Sequence, residues 1–319
     1  MFIVGAPKCG TTSLYTYLAG HPDVFMSPVK EPIYFAPDMR GGPRRRFQYG
    51  DDEALYLGLF ANVRNEKVVG EASTRYLASR VAPQLVREFQ PQARIVIMLR
   101  NPVEMIHALH NERVSWGIEE ITDFEAALAA DAERAAGRRL RRGADPQWAV
   151  YRNAARFGQQ VGRWIDAFGR DRVHVIIFDD LNADTPGEFR RLLEFLGVHP
   201  SYQPASFAPR HSSHRRRGGP LRAIVQSPLA RWASHGLLPT VLGRTRSARL
   251  VWRFRQSRLN LKPTPRAPMR PEFRHQLETE FEPEIAHLSR ILGRDIVQLW
   301  FGRPSETERA ADRTLLTVA

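Results

Sequence analysis

The stretch MFIVGAPKCGTTSL, Met1 to Leu14, constrains this chain more than any other. Phe2-Ile3-Val4 is an apolar run ending at Gly5, and Gly10 is followed by the hydroxyls Thr11, Thr12 and Ser13. This pattern predicts a short strand, a tight glycine turn and a helix start. Such a turn directs backbone N–H groups inward, beside the positive end of the helix. Gly5, Ala6, Pro7, Lys8, Cys9, Gly10, Thr11, Thr12 and Ser13 therefore form a candidate cradle for a phosphate-like anion, with Lys8 inside the turn. The triphosphatase loop G-x-x-x-x-G-K-[ST] has the same glycine spacing. Here Thr11 occupies its lysine position and the lysine stands at Lys8. The displacement argues against magnesium-dependent triphosphate chemistry. It fits a nucleotide with a single terminal phosphate on its 5′ side.

The chain of 319 residues can bury a substantial core, as one large α/β domain or a domain with an appendage. The N-terminal strand lacks the basic region and cleavage site of a signal peptide. No apolar stretch reaches membrane-spanning length. Cys9 alone excludes an internal disulfide framework and a thiolate zinc site. The expectation is a cytoplasmic protein. A formal charge of +13, from 47 basic and 34 acidic residues, favours anionic partners. It brings no recognition helix or aromatic–basic module that would specify nucleic acid.

Further along, Val24-Phe25-Met26 reads as a second strand, and Lys67 to Glu71 as a third that continues into Ala72–Leu77. ARIVIML, Ala93 to Leu99, is a buried strand, and so is Val173 to Phe178. Helices are predicted over Ser13–Ala19, 51–62, 78–90, Val103–His110, Phe124–Arg142, Trp148–Phe168, 186–196 and Glu272–Leu292. Alternating strands and helices predict a three-layer P-loop-type α/β domain with a mostly parallel sheet flanked by helices. Residues 1–319 read as a single domain. Within it, 200–260 is a cover or helical insertion, where peripheral membrane contact is one reading, and 303–319 is a flexible tail.

Between Pro28 and Pro32, Lys30 and Glu31 form a charged tip beside Ile33-Tyr34-Phe35. It reads either as a holder for a catalytic carboxylate or as a salt-bridged surface turn. Arg100 stands just past a strand and at a helix start, which suits a second phosphate site. Arg44–Arg46 and Arg215–Arg217 are compact basic runs, read as anion guides or solvated surface.

These pieces together resemble the sulfotransferases that use 3′-phosphoadenosine 5′-phosphosulfate, bacterial single-domain members and carbohydrate-modifying domains in particular. The resemblance rests on FIVGAPKCGTTSL, KEPIYF, GEAS, IVIMLRNPVE, WIDAFGRDRVHVIIFDDL with FRRLLEFLG, NLKP and ILGRDI, in that order. It implies that Gly5 to Leu14 grips the 5′-phosphosulfate and that Lys8 stabilises the leaving phosphate. Arg100 would hold the 3′-phosphate. The family's usual serine eight residues later is here Ala108; His107, His110 and Arg215–Arg217, Arg216 among them, are the nearby alternatives. Glu31 matches the general base of the carbohydrate-modifying relatives. Glu71 and Arg75 are acceptor-cleft candidates, with Glu71 alternatively orienting Lys8. The implied reaction moves a sulfonate to a hydroxyl or amine of a carbohydrate, glycolipid or small metabolite. It leaves adenosine 3′,5′-bisphosphate and requires no metal. Two other readings compete: a P-loop kinase or NTPase, and a basic nucleic-acid-binding or cofactor-binding protein without catalysis.

Overall fold

The computed structural model describes residues 1–39, 52–140, 146–208, 214–216, 261–263 and 268–302. Its centre is a five-stranded sheet in the order β2-β3-β1-β4-β5. The strands are β1 (Phe2–Gly5), β2 (Val24–Met26), β3 (Val68–Ala72), β4 (Ile95–Leu99) and β5 (Val173–Ile177). Every pairing in this sheet is parallel. β4 is buried along its whole length and reads as a continuous apolar run, as a strand covered on both faces must.

Around the sheet lie α1 (Thr11–Leu18), α2 (Glu53–Leu57), α3 (Ala82–Phe89), α4 (Pro102–Ser115), α5 (Phe124–Ala129), α6 (Asp131–Ala135) and α7 (Pro146–Ala149). They are followed by α8 (Phe157–Phe168), α9 (Phe178–Ala183) and α10 (Thr185–Leu196). A separate ribbon pairs β6 (His214–Arg216) antiparallel with β7 (Leu261–Pro263), and β6 lies against α4. Last come α11 (Pro271–Leu292) and α12 (Ile296–Phe301). α8 packs on α11 and α3, with Trp164, Phe157 and Val161 buried.

Several predicted elements differ in extent. The first helix begins at Thr11, two residues before Ser13. The segment 51–62 is a short helix followed by a 3-10 turn over Gly58–Phe60, and the helix assigned to 78–90 starts only at Ala82. α4 continues past His110 to Ser115. Phe178, the last residue of the predicted strand, instead begins α9.

Two long predicted helices are broken, for a common reason: arginine and aspartate side chains take the backbone groups a helix would use. Within 124–142, Arg134 donates to the Ala127 carbonyl at 3.3 Å and Arg152 to that of Leu128 at 2.7 Å. Within 148–168, Arg113 takes the Trp148 and Ala149 carbonyls at 2.5 and 3.2 Å. There Asp131 also accepts from the N–H groups of Tyr151 and Arg152 at 3.0 and 3.1 Å. Expectations for Arg44–Arg46, for 217–260 and for the tail 303–319 fall outside the described residues, as does the Arg216 side chain. No described helix is long and apolar enough to cross a membrane.

Candidate active site

Parallel strands deliver their following loops to one edge of the sheet. The loop after β1 carries Lys8, those after β2 and β3 carry Glu31 and Thr74, and the one after β4 carries Arg100. The first turn is built for a close backbone approach. Gly10 has φ +89°, and a Cβ at Gly5 would stand 2.5 Å from Leu77 Cβ. α1 begins with no side-chain cap and no acidic residue in its first turn, so nothing of its own neutralises the positive helix end. Cys9 is buried, its Sγ donates to the Pro7 carbonyl, and burial pushes its thiol up to about 12. It supports the turn and is no nucleophile.

Lys8 itself has φ +62° and sends its Nζ 2.8 Å to Glu112 Oε1 on α4. Glu112 escaped the sequence reading. It lies one helical turn beyond Ala108, and i,i+4 spacing puts both residues on one face of α4. That spacing is the signal that would have found it. On the same helix His107 and His110 both pack on the Phe124 ring, and the His110 Nε2 lies 2.9 Å from the Ile121 carbonyl. Arg100 is 3.5 Å from Glu104 and 5.1 Å above the Phe178 ring. Arg274 of α11 also pairs with Glu104.

Glu31 is half-buried, with Lys30 Nζ and Thr74 Oγ1 donating to its Oε1 at 3.2 and 3.0 Å. Burial pulls its carboxyl up. The charges of Lys30 and Arg75, with the bonds from Lys30 and Thr74, outweigh that and hold it below the ordinary value. Its backbone is in the left-handed region at φ +65°, and so is that of Ile33 at +55°. For a β-branched residue this is a true outlier, of a kind that costs about 1–3 kcal/mol and needs outside support.

That support comes from Glu71. The reading of Glu71 as a cleft-lining group is corrected here: it is 1% exposed, and it does not reach Lys8, whose partner is Glu112. Its carboxylate accepts from Ser73 Oγ at 2.8 Å and Tyr76 Oη at 2.7 Å. Ser73 Oγ in turn accepts from the Ile33 N–H at 3.1 Å, and Tyr76 Oη from the Phe35 N–H at 3.2 Å. One buried carboxyl therefore organises the strained segment that carries Glu31. Arg75 donates to the Met39 carbonyl at 2.8 Å and lies 4.0 Å over the Trp148 ring, which Arg113 approaches to 4.4 Å.

Burial raises the Glu71 carboxyl to about 7, despite the bonds from Tyr76 and Ser73. In the native protein it then binds a proton that the unfolded chain has released, in the window from the ordinary 4.5 to about 7. Its contribution to stability is complete below that window and is lost as pH rises through it. Glu71→Gln is expected to flatten that part of the pH–stability curve, measured by denaturant unfolding at stepped pH. Equal slopes for the two proteins would refute the assignment.

A parallel α/β sheet with a tight glycine turn after β1 and the cationic residues Lys8 and Arg100 along the same edge places this chain in the α/β class. The comparisons narrow the class. Residues 1–203 match the model of the sulfotransferase family, and the chain belongs to that family. Human carbohydrate sulfotransferase 15 is 25% identical over 293 residues, covering 72% of this chain and 50% of its own. Human heparan sulfate glucosamine 3-O-sulfotransferase 6 is 25% identical over 201 residues, covering 61% of this chain and 51% of its own. This chain thus spans about half the length of these relatives. A crystal structure of a sulfotransferase from Alicyclobacillus acidocaldarius superposes with a TM-score of 0.68 at 29% identity, covering 94% of this chain and 97% of the other.

Proposed function

We propose that the chain transfers a sulfonate group from 3′-phosphoadenosine 5′-phosphosulfate to a hydroxyl or amine of a carbohydrate, glycolipid or small metabolite. The observation that carries this reading is the convergence of Lys8, Glu31 and Arg100 on one sheet edge in a chain of the sulfotransferase family. The fit to the donor nucleotide rests on the Gly5–Ser13 turn, where α1 starts with no side-chain cap and no acidic residue, so its positive end is open to an anion. When bound, the donor supplies the sulfonate and leaves as adenosine 3′,5′-bisphosphate.

The chain's own groups then have separate tasks. Thr11, Thr12 and Ser13, with the turn's N–H groups, orient the 5′ end. Lys8 supplies positive charge where the leaving phosphate gathers negative charge. Arg100 takes the 3′-phosphate, steadied by Phe178 and Glu104. Ala108 contributes no hydroxyl to that phosphate, and the Arg216 strand, which lies against α4, is the candidate to complete the pocket. Glu31 is ionised at neutral pH and accepts the acceptor's proton directly or through one water. Arg75, beside Trp148, is the acceptor-side group. No step calls for a metal, and no group of metal-ligating side chains occurs among the described residues.

Calorimetric titration with adenosine 3′,5′-bisphosphate tests the reading. Binding without magnesium is expected, with ATP–magnesium a poor competitor. Preference for ATP–magnesium with no affinity for the bisphosphate would return the protein to the kinase and NTPase class.

A further inference from the structure

A cavity beside the acceptor side of the site carries charge that the reaction does not use. Arg80, Arg156 and Arg163 line it together with Gln147, Asn153 and Gln160. It forms where the N-terminus of α8 meets the chain that follows β3. Three guanidinium groups on one small cavity repel one another. Arg163 feels this: burial, and then the charge of Arg80, lower its pKa. The opposing charges at hand are Asp38, bonded by the Ser79 hydroxyl and the Arg80 N–H, and Glu284, which accepts from Gln159. Neither forms an ion pair with the three arginines among the described residues.

The helix end adds to the imbalance. The cap position of α8 is an arginine, with no side-chain cap and no acidic residue in the first turn. A cation at the positive end of a helix is the unfavourable choice, and an anion beside it reverses the sign. Two buried atoms also want partners. Arg163 gives its Nη2 to the Leu77 and Ala78 carbonyls, while its Nε finds no acceptor among the described residues. Gln160 is 2% exposed. Its Nε2 donates to the Asn153 carbonyl at 2.7 Å, which fixes Oε1 as the atom without a donor. Native proteins seldom leave such atoms unpaired. Both residues line the cavity, and an unpaired guanidinium N–H together with an unpaired amide oxygen suits a ligand with both an oxyanion and a hydroxyl.

The cavity is tied to the chemistry through a short run of chain. Thr74 bonds Glu31, Arg75 bonds the Met39 carbonyl, and Met39, Ala78 and Arg80 lie on the cavity wall. Its volume of about 70 Å³ compares with roughly 10–15 Å³ for one water, so it fits one charged substituent and not a sugar ring. We propose that this cavity is an anion subsite for the acceptor, holding a carboxylate or sulfate ester on a hydroxylated molecule while its reacting group stands at Glu31. The proposal rests on the sulfonate-transfer reading for its biological sense, and on the cavity alone for its chemistry.

The test uses the full chain saturated with adenosine 3′,5′-bisphosphate, which fills the nucleotide cradle. Sucrose octasulfate, a polyol carrying many oxyanions, is then titrated at low salt. Salt-sensitive binding is expected, weakened at least about tenfold in Arg156→Gln/Arg163→Gln and severalfold in Arg80→Gln, whose side chain is exposed and free of folding risk. Arg190→Gln, an exposed arginine on α10, controls for the general charge and is expected to bind as the parent does. The bisphosphate affinity stays the same in all variants. Equal octasulfate affinity in the cavity variants and the control overturns the subsite, and so does octasulfate binding that vanishes when bisphosphate is present. Absence of bisphosphate binding in the parent instead overturns the sulfonate-transfer reading, and the octasulfate titration still reads the cavity.

Discussion

A Lys8→Ala protein is expected to lose about 10²–10³ in kcat, the scale at which removing one preorganised group from a developing charge is felt. The loss is not one of packing, because the Lys8 side chain is partly exposed and bonds Glu112 at its Nζ. Binding should respond differently from turnover. Without the lysine, the Glu112 carboxylate faces the anionic nucleotide with no counter-charge and weakens its binding. Lys8→Ala/Glu112→Gln is therefore expected to regain bisphosphate affinity by calorimetry while kcat stays low. If the single variant turns over at the parental rate, Lys8 has no part in the chemistry.

The second large effect belongs to Glu31. Glu31→Gln keeps an oxygen for Thr74 but cannot take a proton, and a general base of this kind contributes about 10²–10⁴ in rate. Affinity for the bisphosphate should not change, since the lost function concerns the acceptor. The pH profile gives an independent readout. A carboxyl held below the ordinary 4.5 is ionised above that value, so the acidic limb of kcat/KM lies below it and activity is lost as pH falls through it. In Glu31→Gln that limb disappears along with most of the rate. A variant that keeps both the rate and the limb would remove the base from Glu31.

Much of this arrangement could be read from the chain, and the missing parts share a physical cause. The glycine turn and the strands IVIML and VHVII are fixed by local pattern, because their apolar runs and breaks admit one reading. Their order then puts Lys8 and Arg100 at one edge. What escaped was decided by side chains far apart in sequence. Glu112 meets Lys8 across a separation of 104 residues, and only its place one helical turn beyond Ala108 marks it. Glu71 sits at a strand end, where alternation does not tell an enclosed carboxyl from one facing a cleft. The broken helices between 124 and 156 had sound helical patterns, which Arg113, Arg134, Arg152 and Asp131 override by bonding the backbone directly.

The strained segment around Glu31 is held largely through its own main chain. The Glu31 N–H donates to the Ala72 carbonyl at 2.8 Å, and the Ile33 and Phe35 N–H groups go to Ser73 and Tyr76. Those anchors do not depend on the side chains at 32–36. The backbone at Glu31 is thus held independently of the neighbouring side chains. A chain built this way can change what it accepts without rebuilding how it reacts. Substitution of the half-buried Tyr34 is the economical place to look for altered acceptor choice, whereas Phe35 is packed on Phe2, Tyr56, Tyr76 and Phe89.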